Sequence, residues 1–252
     1  MSLGQHLVEL RKRLTRAALA IVAGTIGGWF LYDLVWPWIR EPITRIAEAR
    51  GDDGAAIGLI YTNITGAFDV RIQVSLTIGL VISSPVWLYQ VFAFLVPGLT
   101  GREKRYTFGF FFSAVPLFLA GCAAGWFVLP HIVEIMFSFV PQGSSGLYDT
   151  KSYLDFVLKL VLATGIAFVL PVFLVLLNFI GVLAARTILR GWRWAVLAIT
   201  IFTAIATPAA DVISMILLAI PMVILYFAAV GVALLHDRGV EKRARAFEAE
   251  LA

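Results

Sequence analysis

Glu9 and Glu103 are each a lone acid among cations. Glu9 sits in HLVELRKRL over residues 6–14, beside Arg11, Lys12 and Arg13. Glu103 sits in TGREKR over residues 100–105, beside Arg102, Lys104 and Arg105. Neighbouring positive charges keep a carboxylate ionised, and two such carboxylates on separate elements could hold a ligand with two adjacent positive charges. Consecutive side chains of an extended peptide point opposite ways, so this arrangement suits a pair of arginines. Each acid also has a local role open to it. Glu9 can pair with Arg13 one turn on, worth about 0.2–0.5 kcal/mol. Thr100-Gly-Arg-Glu103 fits a capping box, with Thr100 as N-cap and Glu103 at the third helical position.

Catalytic constellations are missing. There is no G-x-S-x-G, no H-E-x-x-H and no Walker loop. His6, His131 and His236 fall at loops or ends and form no ligand set, so neither a metal nor any other cofactor is expected. The single Cys122 cannot form an internal disulfide. No paired aspartates suited to intramembrane proteolysis lie in the apolar runs. The pattern is that of a protein that recognises or moves something, not of an enzyme.

The elements that must position the two acids are membrane helices. Residues 72–101, 160–185 and 212–235 contain no Asp, Glu, Lys or Arg, and each is long enough to cross about 30 Å of hydrocarbon as a helix. Hydrophobic residues make up 60% of the 252, and charged residues 14%, far from a soluble domain. The net charge is only +4, and the cations cluster beside apolar runs, which points to lipid and orientation, not to nucleic acid. The N-terminal segment has no A-x-A-like site of a cleavable signal. Six spans are expected: about 17–36, 72–95, 106–130, 156–180, 193–207 and 212–235. They would form one membrane domain over 1–237, followed by a charged cytoplasmic tail over 238–252. Leu3, Leu7, Leu10 and Leu14 recur at helical spacing, so an amphipathic helix on the inner surface should precede the first span.

Fourteen of the 20 Lys and Arg residues flank the spans on the side of the termini, and the other six lie in longer loops opposite. The positive-inside rule places both termini in the cytoplasm. The first outer loop, about 37–71, has room for a short helix and a Gly-rich turn at Gly51–Gly54. The fifth span is short: fourteen residues between Arg193 and Pro208 rise about 21 Å. With only Pro208-Ala-Ala-Asp211 between them, the fifth and sixth spans must form a tight hairpin. Pro85, Pro116, Pro171 and Pro221 fall inside expected spans and should kink them, favouring a concave surface. The polar residues at the span centres, among them Gln90, Thr164 and Asn178, are neutral.

At these residues the chain resembles the TatC family, the multispanning subunit of the twin-arginine protein translocase. The resemblance rests on HLVELRKRL at 6–14, SPVWLYQVFAFLVPGL at 84–99 with Glu103, SYLDF at 152–156, Thr207-Pro208 with Asp211, and LAIPM at 218–222. It covers nearly the whole chain, in order. It implies an all-α membrane protein of six bent helices in a concave, glove-like shape. It also implies that twin-arginine signal peptides of folded cargo are recognised at the cytoplasmic face of the inner membrane. On that reading Glu9 and Glu103 contact the signal, and Arg11, Gln90, Phe94, Pro97 and Leu99 belong to the same site. Pro42 and Phe68 match outer-side assembly positions, and Asp211 matches an acid of the third outer loop. The implied partners are TatA-like and TatB-like single-span subunits and further copies of the chain, with transport driven by the proton-motive force. One position departs from the family: many members carry Glu or Gln just before the proline of the fourth span, where this chain has Val169.

A secondary transporter of a small solute is the alternative. The absence of a mid-membrane charge and of an internal repeat counts against it.

Overall fold

The structure, a computed structural model, describes residues 3–50, 57–95, 101–139, 146–207 and 212–251. It is almost entirely helical. In chain order the elements are α1 (Leu3–Arg50), β1 (Ile57–Ile60), α2 (Gly66–Ile82), α3 (Ser84–Leu95), α4 (Gly101–Ser138), β2 (Gly146–Asp149), α5 (Thr150–Phe179), α6 (Ala185–Arg190), α7 (Trp192–Ala206) and α8 (Val212–Leu251). The helices α1, α4, α5 and α8 are long and apolar enough to cross a membrane, and α2 with α3 would make a fifth crossing bent by 60°. At 15 residues, α7 is shorter than a full span.

Glycines set the closest helix crossings. A Cβ on Gly24 of α1 would stand 2.6 Å from the Gly79 carbonyl of α2, and one on Gly28 would meet the Ser75 carbonyl. On α4, a Cβ on Gly121 would meet the Thr164 carbonyl of α5, and one on Gly125 the Thr164 hydroxyl. Both pairs follow the G-x-x-x-G pattern, which lets backbones approach where no hydrophobic drive acts between helices.

Several helices run past the expected span ends. No break separates an N-terminal surface helix from the first span, and α1 does not end at Pro37. It runs through Pro37 and Pro42 to Arg50, so the helix expected in the first outer loop is its continuation. Each proline removes one backbone bond, but Ile39 and Ile43 beyond the span are 2% and 4% exposed, and their burial against Leu154 and Val157 of α5 offsets the loss. In the same way α4 passes Pro130 because Ile132, Val133 and Phe137 are buried. The charged tail is helical, continuous with α8 to Leu251. At Pro85 the expected bend is a full break: α2 and α3 meet at 60° across Ser83, with Pro85 in the first turn of α3.

An unexpected parallel strand pair joins β1 to β2, with Ile57 opposite Gly146 and Ile60 opposite Asp149. Asp149 then caps α5, accepting from Ser152 N at 3.0 Å, and also takes the Thr62 hydroxyl at 2.9 Å. These hydrogen bonds, with that of Thr62 foremost, hold its carboxyl below the ordinary value of 3.8. Connectivity places α1's N-terminus, the end of α3, the start of α4, α6 and the end of α8 at the opposite end of the bundle.

Candidate functional site

Glu9 lies two turns into α1, and its carboxylate is engaged. Arg13 donates to Glu9 Oε1 from Nη2 at 2.6 Å and from Nε at 3.0 Å, with both side chains less than a quarter exposed. The i,i+4 pair is therefore formed, and both donors use one oxygen. Glu103 lies in the first turn of α4, and its side chain lies outside the described residues, as does Thr100, its expected cap. Arg11 is exposed on α1. From α3, which packs against both α1 and α4, Gln90 is 8% exposed and its Oε1 has no partner among the described residues. Phe94 is half-buried one turn further on. Pro97, Leu99 and Asp211 lie outside the described residues.

At the strand end, Pro42 is buried and lines a 460 Å³ cavity with Arg45, Pro130, Glu134 and Phe137. Phe68 is 58% exposed and meets Trp29 edge-on at 6.2 Å. Val169 is 3% exposed among Leu88, Phe92, Phe118 and Cys122. That environment is apolar throughout and suits valine.

Three polar clusters were not anticipated. Asp237 of α8 accepts from Asn178 Nδ2 of α5 at 2.9 Å and from the Ala185 amide of α6 at 2.8 Å. His236 beside it stacks on Phe179 at 3.9 Å. Asp237 is the first acid after a charge-free run, which was its only signal. Near the strand end, Arg71 lies over the Trp29 and Tyr32 rings and pairs with Asp33 at 3.2 Å. Gln73 there donates to Asp155. All three join residues from different helices, so their pairing has no local pattern. Among the described residues, no group of three or more His, Cys, Asp or Glu could hold a metal ion.

The long apolar helices define a polytopic integral membrane protein. The family model for TatC, the Sec-independent protein translocase protein, matches residues 5–221. The Sec-independent protein translocase protein TatC of Xylanimonas cellulosilytica is 48% identical over 96% of this chain and 87% of its own length. The TatC protein of Rothia mucilaginosa is 38% identical over 96% and 82%. A crystal structure of the twin arginine translocase receptor TatC superposes with a TM-score of 0.74 at 29% identity, covering 90% of this chain and 99% of that one. The chain belongs to the TatC family and is a component of a Sec-independent protein translocase.

Proposed function

We propose that the chain is the receptor and core subunit of a twin-arginine export system in the inner membrane. It binds twin-arginine signal peptides of folded proteins at the cytoplasmic face, for translocation driven by the proton-motive force. It has six spans in a concave arrangement, with α2–α3 as the second and α7 as a short fifth, in one domain over 1–237. Both termini and the tail over 238–252 face the cytoplasm. Its partners are TatA-like and TatB-like single-span subunits and further copies of itself, with Pro42, Phe68 and Asp211 serving assembly on the outer face.

The observation that supports this reading best is the Glu9–Arg13 pair. The carboxylate is partly desolvated, already accepts a guanidinium, and keeps Oε2 outside that pair. An incoming arginine has the same chemistry as the resident one and can take its place. Charge-assisted bonds of this kind are directional and bidentate with arginine, which lysine cannot match. Glu103, Arg11, Gln90, Phe94, Pro97 and Leu99 complete the surface. The fold match to a twin arginine translocase receptor agrees with it. Photo-crosslinking from position 94 tests the proposal. A twin-arginine signal peptide should label the chain, and its twin-lysine version should label it weakly. Uptake of a small solute without such labelling would favour the transporter instead.

A further inference from the structure

The break between α2 and α3 leans on one side chain. Pro85 has no N–H, so the Val81 carbonyl loses its i+4 donor there and is met only by the Ser83 amide. Within a bilayer an unmet backbone group costs several kcal/mol, so the polar groups of the break need other partners. Ser83 Oγ reaches the Leu80 carbonyl at only 3.5 Å, too long for more than a weak bond. Ser84, fully buried, has an Oγ with no partner among the described residues. The Trp87 indole is different: its Nε1 donates to the Leu80 carbonyl at 2.9 Å across the break. The same ring stands edge-on to Phe118 of α4 at 5.3 Å and 88°, and Phe118 is fully buried. Trp87 thus ties α3, which carries it, to the last turn of α2 and to the middle of α4.

We propose that Trp87 is a strut that sets the angle between α2 and α3 and so positions Gln90 and Phe94 of the recognition surface. The proposal rests on the twin-arginine reading above. Gln90 and Phe94 lie three and seven residues beyond the strut, on an arm packed against α1, which bears Glu9. An arm of 12 residues is about 18 Å long, so a swing of about 20° carries its far end about 6 Å. That distance takes a contact out of hydrogen-bond reach.

The experiment uses the full chain in detergent, with spin labels at Leu76→Cys and Val91→Cys in a Cys122→Ala background. Positions 76 and 91 are exposed on the two sides of the break. Trp87→Phe keeps a ring against Phe118 and removes the donor. Replacing Trp87 by 3-benzothienylalanine removes only the N–H and keeps the ring's shape, so it reads the bond even if the phenylalanine variant fails to fold. The expected result is a distance distribution that shifts or broadens by about 3 Å, together with a roughly five-fold loss of twin-arginine peptide affinity. Unchanged distances in the benzothienyl variant overturn the strut, and moved distances with intact affinity overturn the positioning role. If the unmodified chain binds twin-arginine and twin-lysine peptides alike, the recognition reading falls alone. The spin distances then uphold or overturn the strut by themselves.

Discussion

Arg13 competes with any cation that approaches Glu9. An i,i+4 pair contributes about 0.3–0.5 kcal/mol, so freeing Glu9 should favour a bound arginine by a comparable amount. Arg13→Gln is therefore expected to raise twin-arginine peptide affinity by up to about two-fold, measured by fluorescence titration. A clear loss instead would make Arg13 a contact in its own right. At the other end of the bundle, the Asp149 carboxyl titrates below its ordinary 3.8 in the folded chain. A depressed carboxylate adds stability above its unfolded value, and that stability is lost as pH falls through the folded one. Thermal stability should fall below about pH 4, and Asp149→Asn should flatten that acid limb. Glu9 and its partner were readable because both lie on one helix at a fixed spacing. Asp237 and Asn178 stand 59 residues apart, and only the folding of α8 against α5 brings them together.

Among the elements, each expected apolar run is helical, and four or five of the helices are long enough to cross a membrane. The run over 193–207 is helical as α7, Trp192–Ala206, and is shorter than a full span. What could not be read was how far helices continue past the apolar runs. That depends on burial of Ile39, Ile43 and Phe137 against other elements, which overrides the local cost of Pro37, Pro42 and Pro130. The strand pair was missed because its two strands of four residues lie far apart in the chain. Close approach of α1 to α2 makes its own prediction. A Cβ on Gly79 would stand 2.6 Å from Thr25 Cα, whereas one on Gly27 meets nothing within 4 Å. Gly79→Ala should destabilise the chain by about 1–3 kcal/mol, and Gly27→Ala should be neutral or stabilising by up to about 1 kcal/mol. Thermal unfolding in detergent separates the two, and equal effects would remove the close crossing from the account.

For the whole molecule, orientation decides whether Glu9 and Glu103 can meet a signal peptide at all. With fourteen of the 20 cations expected on the side of the termini, a reporter active only outside should be silent after Ala252 and active near Gly143. The reverse pattern would put both acids on the wrong side. The family was legible in the sequence because its motifs run along nearly the whole chain. The two-acid site was legible only as an expectation, since each acid also had a local use and one of those, Glu9 with Arg13, is formed. The most direct measurement is therefore twin-arginine peptide affinity across Glu9→Gln and Glu103→Gln, with thermal stability alongside. A partly desolvated charged hydrogen bond contributes about 1.5–3 kcal/mol, and an exposed one under about 1 kcal/mol. An interfacial site falls between these, so each substitution should weaken binding roughly ten-fold and leave stability nearly unchanged. Normal affinity in both variants would contradict the account.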